Sequence, residues 1–132
     1  MSTRRESRQR RGAAARRRGG WAEALCVWSL RLRGYAILGR GVVTGRGTGA
    51  GEIDIVAKRG RLLAFIEVKA RPTRDQAAYA ISAQQRQRLS RAAAAFLARR
   101  AELANCAIRF DAMLVTPWML PVHLIDAWRD AQ

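Results

Sequence analysis

The sequence predicts an α/β fold, a central mixed sheet flanked by helices in the order α-β-β-β-α-β. Three observations carry that expectation. Residues 21–33 and 75–100 repeat apolar side chains at helical spacing. The runs 35–38, 52–57, 62–69 and 106–115 alternate or concentrate apolar residues as strands do. Both kinds of pattern interleave along 132 residues, a length that suits one domain around one sheet.

Each element has its own signature. In 21–33 one stripe is Trp21, Leu25, Trp28 and Leu32, and a second is Cys26, Val27 and Leu30, with Glu23 one turn earlier. Gly34 is a natural stop. Tyr35–Leu38 reads as a short first strand. Glu52–Ala57 alternates, with Ile53, Ile55 and Ala57 expected on one face and Glu52, Asp54 and Val56 on the other. Lys58–Arg61 makes a polar turn. Leu62–Lys69 is apolar on both faces until Glu67 and Lys69, as suits an interior strand. The helix over 75–100 carries the stripe Ile81, Gln85, Leu89, Ala92, Ala93 and Phe96. In 106–115, Ile108, Phe110, Ala112 and Leu114 share a face. Trp118–Trp128 shows no clear period and is expected to pack as an extended cover or a short helix.

Charge narrows the partner. Lys and Arg number 25 against 10 Asp and Glu, for a net charge of +15. Residues 1–18 hold eight arginines and one acid, and almost nothing apolar, so they read as a disordered basic arm ahead of a domain over 19–132. An Arg-rich, acid-poor stretch also suits a targeting peptide, though without an apolar segment it is not a secretory signal. The remainder keeps 17 basic and nine acidic residues and is basic in its own right. Such a balance points to nucleic acid first and to anionic lipid second. No transmembrane segment is legible. Cys26 and Cys106 read as free thiols of a cytoplasmic protein, and with no CxxC and a single His123 a zinc site or a His-based triad is disfavoured. The glycines at 45, 47, 49 and 51 lack the Gly-Lys-Ser/Thr ending of a phosphate loop and read as a mobile connection.

The chemistry concentrates at Asp54 and Glu67-Val68-Lys69. In a strand, positions i and i+2 point the same way, so Glu67 and Lys69 face one space while Val68 anchors the core. Pairing of the two strands through the turn at Arg59-Gly60 brings Asp54 beside Glu67. Two converging carboxylates bind a hard cation such as Mg²⁺. The metal would polarise a phosphoryl oxygen and acidify a water, and Lys69 would offset charge on the transition state. Alone, each residue has a plainer explanation. Glu67 and Lys69 make a surface ion pair, Asp54 is a solvated acid near a turn, Glu23 favours a helix dipole and Gln85 is a satisfied helical polar residue. Together they occupy apolar stripes and strand ends, where unpaired burial costs several kcal/mol, and a shared metal and water cluster explains them jointly.

Gly51-Glu52-Ile53-Asp54-Ile55-Val56-Ala57 followed by Phe65-Ile66-Glu67-Val68-Lys69-Ala70-Arg71 resembles the YraN-type family of small bacterial proteins. That family is similar to archaeal Holliday-junction resolvases and RecB-like nucleases of the PD-(D/E)XK superfamily. The resemblance extends over about 20–130, with Glu23 as the acid of the first helix and Arg109-Phe110-Asp111 as a last-strand motif. It implies a restriction-endonuclease-like fold, with Asp54 and Glu67 as metal ligands, Lys69 as the catalytic lysine and Glu23 as an accessory acid. Gln85 stands where lysine is common in the family, and RecB-like relatives often carry glutamine there.

The resulting expectation is a Mg²⁺- or Mn²⁺-dependent endonuclease that hydrolyses DNA phosphodiester bonds, on branched or repair intermediates. Its site comprises Asp54, Glu67, Lys69, Glu23 and Gln85. Asp54, Glu67 and Val68 form the metal set, and Arg71, Arg74, Lys58 and Arg86 contact the nucleic acid. A nucleic-acid-binding module of the same fold that does not cut is the alternative, and a homodimer stays open. Deleting residues 1–18 is expected to weaken DNA binding and flatten its salt dependence by about 0.9 in log–log slope per lost phosphate contact. Salt titrations of the full and shortened chains check this, and an unchanged slope places the arm off the DNA.

Overall fold

The sheet can be traced in a computed structural model that describes residues 20–44, 51–73 and 82–128. The arm expected over 1–18, the glycine-rich stretch 45–50, Arg74 and Ile81 lie outside the described residues. Residues 20–32 are helical and are called α1. Three strands follow: β1 (Ala36–Val43), β2 (Glu52–Arg59) and β3 (Leu62–Ala70). Then come the helix α2 (Ala83–Ala98), a 3-10 turn at Ala101–Leu103, β4 (Ala107–Val115) and β5 (Val122–Trp128). The strands lie in the sheet in chain order. All neighbours are antiparallel except β3 and β4, which run parallel from Leu62↔Ala107 to Ala70↔Val115. A parallel pair needs a crossover, and α2 supplies it.

Local chemistry sets the boundaries. α1 ends at Gly34, whose φ of +88° is one that side chains rarely adopt, and the Tyr35 amide turns back to the Leu30 carbonyl at 3.0 Å. Gly60, at φ +60°, turns β2 into β3. α2 begins with a capping box. The Gln85 amide donates to Ser82 Oγ at 3.1 Å, and the Ser82 amide donates to Gln85 Oε1 at 3.2 Å. Ser82 itself is extended, with ψ of 161°. The helical pattern expected over 75–100 is therefore broken at Ser82, because that residue is spent as an N-cap.

Two apolar layers flank the sheet. On one face α1 buries Ala22, Cys26, Val27 and Leu30 against Ile55, Ala57, Ala64, Ile66 and Met113. On the other α2 buries Leu89, Ala92, Ala93 and Phe96 against Ile53, Val56, Leu63, Phe65, Phe110 and Ala112. Aromatic rings join this second layer. Phe65 meets the edge of Phe96 at 5.9 Å, and Phe110 stacks on Trp128 at 5.6 Å. Of the two stripes on α1, only the one with Cys26 is buried, while Trp21, Trp28 and Leu32 stand in solvent.

Three expectations need correction. Ile53 and Ile55 do not share a face, since Ile53 joins the α2 layer and Ile55 the α1 layer. The two-residue period breaks at Asp54, where β2 leaves its partner. Trp118–Trp128, expected as an extended cover or a short helix, is neither, because Val122–Trp128 forms a fifth strand of the sheet. Its alternation is disguised by an irregular register between Phe110 and Ala112 and by Asp126 at φ 55°. β1 also runs to Val43, five residues past Leu38, with a register shift between Ile37 and Gly39. No described helix is long and apolar enough to cross a membrane.

Phe65 is 1% exposed and touches both Phe96 and Phe110. Phe65→Ala is expected to cost about 3–5 kcal/mol, a large part of the roughly 5–15 kcal/mol that holds a domain together. Urea unfolding at unchanged slope measures the loss, and a cost below about 1 kcal/mol would remove Phe65 from the centre of this layer.

Candidate functional site

The site lies where β2 and β3 part. Their ladder runs from Arg59↔Leu62 to Ile55↔Ile66 and goes no further. Beyond Ile66, β3 continues against β4 alone, up to Ala70↔Val115. A strand amide without a ladder partner must find another acceptor. Asp54 supplies it, its Oδ2 accepting from the Val68 amide at 2.8 Å. The side chain thus closes the fork that its own backbone opens.

Glu67 and Lys69 occupy the same fork. Lys69 Nζ lies 3.0 Å from Glu67 Oε1, and both side chains are nearly nine-tenths shielded from solvent. Asp54 is pushed up to about 8, first by burial and then by the charge of Glu67, while the Val68 amide pulls the other way. A hydrogen bond with Glu67 and the more distant charge of Glu23 add to the rise. Glu23, on α1, is held by Arg40 of β1 at 3.2 Å. Cys26, fully buried one turn along α1, has its thiol pushed up to about 12 by burial, then by Asp54 and Glu23. Four elements therefore converge, and they carry more acid than base into a shielded space.

The predicted residues divide. Asp54, Glu67, Val68 and Lys69 come together, and Glu23 acts on Asp54 through its charge. Gln85 does not join them. Its side chain is committed to the capping box, and no described hydrogen bond or ion pair links it to the carboxylates. The helical stripe that placed Gln85 between Ile81 and Leu89 overlooked that Ser82, three residues earlier, is a cap. Lys58 is half-buried on β2, Arg86 is exposed on α2, and Arg71 is exposed just beyond β3, its guanidinium donating to the Ala70 carbonyl at 2.7 Å. Among the described residues no three His, Cys, Asp or Glu side chains gather into a metal-holding group.

A fully buried acid stands on β4. Asp111 is 0% exposed and its oxygens accept four hydrogen bonds. Arg109 gives two, at 2.8 and 2.7 Å, His123 Nε2 gives one at 2.7 Å, and the Asp126 amide gives one at 2.9 Å. Arg33, which can only donate, lies 3.4 Å from His123 Nδ1, so the tautomer with its proton on Nε2 fits both contacts. Arg109 also donates to the Tyr35 hydroxyl at 2.7 Å. Burial alone would raise Asp111, but the hydrogen bonds from His123 and Arg109 overcome it and hold the acid at about 2. The sequence hint was Arg109-Phe110-Asp111. His123 seemed to lack an acid because its partner comes from the neighbouring strand.

Together the fold and the fork define an α/β protein with a paired-carboxylate and lysine site at the open end of a mixed sheet. The chain belongs to the family described as Uncharacterised protein family UPF0102, whose model matches residues 22–115 and so spans Glu23 to Asp111. A UPF0102 protein of Paramagnetospirillum magneticum is 61% identical over 116 residues, covering 88% of this chain and 90% of its own. A second, from Parvibaculum lavamentivorans, is 49% identical over 89% of this chain and 86% of its own. A third, from Caulobacter vibrioides, is 44% identical over 94% and 96%.

The Asp111 network makes a pH prediction. Its folded pKa of about 2 lies below the ordinary 3.8, so the folded state binds fewer protons than the unfolded chain between these values. The stabilisation is complete above about pH 4 and is lost as pH falls through about 2. Asp111→Asn should cost about 3–5 kcal/mol at neutral pH, by leaving Arg109 facing a neutral group. It should also show a smaller loss of Tm on acidification than the natural chain. Thermal melts between pH 7 and pH 2 check both, and parallel curves would exclude Asp111 as the titrating group.

Proposed function

We propose that this chain is a divalent-metal-dependent nuclease of restriction-endonuclease-like fold, related to the Holliday-junction resolvases and RecB-like nucleases of the PD-(D/E)XK superfamily. The observation that carries the reading is the fork, where Asp54 and Glu67 meet within hydrogen-bonding reach and Lys69 closes on Glu67 at 3.0 Å. The order of elements, with a parallel β3–β4 pair across α2, supports it.

The donor set suits Mg²⁺ or Mn²⁺. Two oxygens of like charge are forced together, which a hard cation relieves. In a strand, amide and carbonyl of one residue point to the same side, so Val68 turns its carbonyl toward Asp54 as well as its amide. Asp54, Glu67 and the Val68 carbonyl would hold the ion. When bound, it polarises a phosphoryl oxygen and lowers the pKa of a water. Lys69, aimed by Glu67, is placed to donate to that water or to an oxygen on which charge builds. Shielding strengthens each of these interactions. Arg71, Lys58 and Arg86 would receive the DNA backbone, within a chain whose charge is +15. The alternative, a nucleic-acid-binding module that does not cut, draws on the Glu67–Lys69 ion pair, which occupies one of the two carboxylates.

Linear, nicked, flap and four-way DNA, each with Mg²⁺, Mn²⁺ or EDTA, test the reading. Cleavage that EDTA abolishes is expected. Asp54→Asn should lose cleavage by orders of magnitude together with metal affinity. Lys69→Ala should lose cleavage while keeping metal affinity, because an ammonium is not a ligand. Cleavage that persists in EDTA would sink the metal mechanism. No cleavage on any substrate, with unchanged DNA binding in both variants, would favour the binding module.

A further inference from the structure

Trp21, Trp118 and the hollows between them are not used by the site at the fork. Trp21 is 62% exposed on α1 and Trp118 is fully exposed on the β4–β5 connection. Trp118 holds φ at 64°, a conformation costly for a bulky residue. The chain thus spends backbone strain to keep an indole in water. Two hollows adjoin, sharing Trp21, Thr116 and Pro117 as walls. One, of about 550 Å³, lies between Trp21 and Trp118. The other, of about 420 Å³, lies between Trp21 and Arg71-Pro72. Both fall in the range of about 300–1,000 Å³ typical of small-molecule sites.

What would occupy them follows from the surroundings. The second hollow is walled by Ala70 and Arg71, the residues that end β3 and follow it. Arg71 uses one guanidinium nitrogen on the Ala70 carbonyl and has others to offer a phosphate. The segment carrying eight arginines in residues 1–18 joins the described structure at residue 20, beside Trp21. Flat aromatic walls beside the Arg71 guanidinium suit a nucleobase with its phosphate, since base–aromatic stacking works with any base. A second copy fits poorly, because two chains of +15 repel. Trp118 and Leu120 also protrude, so an anionic lipid surface is the competing occupant that the vesicle arm of the test separates.

We propose that the hollows flanking Trp21 bind an unpaired nucleotide of the substrate, its base stacked on the indole and its phosphate met by Arg71. Resting on the nucleic-acid reading above, this names the substrate class as DNA with a single-stranded segment.

The test uses the full chain in EDTA, so that it is independent of cleavage. Fluorescence anisotropy compares a labelled oligothymidylate with a blunt duplex of equal length, and tryptophan quenching is followed in parallel. Trp21→Ala should weaken single-strand binding by roughly tenfold while leaving duplex binding nearly unchanged, and Trp21→Phe should restore most of the loss. Trp118→Ala, at a fully exposed position, should show the same selective loss and serves if Trp21→Ala misfolds by circular dichroism. Equal effects on strand and duplex, or none, would overturn the proposal. So would Trp21-dependent binding to phosphatidylserine vesicles without strand binding, or a dimer in sedimentation that Trp21→Ala dissolves. A chain that binds the strand through Trp21 yet cleaves nothing would keep this proposal and fail the nuclease.

Discussion

The hydrogen bond from the Val68 amide to Asp54 is where the sheet and the site become one structure. An antiparallel ladder that simply continued past Ile55↔Ile66 would satisfy Val68 through backbone and would leave no space between β2 and β3. Because β2 veers away there, the amide needs an acceptor, and the fork acquires a carboxylate. The same departure reverses the facing of Ile53 relative to Ile55 and puts Ile53 into the layer under α2. Site and core are thus set by one break in strand periodicity. A change that restored the ladder would close the cleft and misplace a core side chain at once.

Two aspartates, one half-buried and one fully buried, show how far surroundings decide what an acid does. Asp111 is enclosed by donors and stays ionised down to about pH 2. Asp54 is enclosed by acids, with one amide to oppose them, and its pKa is pushed well up from the ordinary carboxylate range. The first is structurally complete. It ties Arg109 on its own strand to His123 and Asp126 of β5, and through Arg109 to Tyr35 at the end of α1. The second is crowded by the charges of Glu67 and Glu23 and has the Val68 amide as its opposing donor. That difference distinguishes the two acids more than their shielding from solvent does.

Much of this was legible in the residues themselves. β2, β3, β4 and α1 announce themselves by period and by the glycines at 34 and 60. The grouping of Asp54 with Glu67 and Lys69 follows from the strand repeat and a short turn. The remainder depended on interactions between elements. Whether Ile53 follows Ile55 is decided by where β2 separates, which no local pattern records. β5 was hidden because its ladder with β4 is irregular and Asp126 turns the chain at φ 55°. Gln85 looked inward on a helical stripe, but Ser82, Gln85 and their two amides form a closed local circuit. The acid partner of His123 was twelve residues away in sequence and adjacent only across the sheet.

Cys26 makes the fork observable from within. Its thiol is wholly buried between α1 and the sheet, and burial with the nearby Asp54 and Glu23 keeps it protonated. Thiolate is the reactive form, so a thiol reagent added to the folded chain has neither access nor a nucleophile to meet. It can react only in molecules whose first helix has lifted from β2. The slow rate of labelling at this one sulfur is therefore a direct reading of how often the helix bearing Glu23 leaves the carboxylate pair, a local opening free energy distinct from global unfolding.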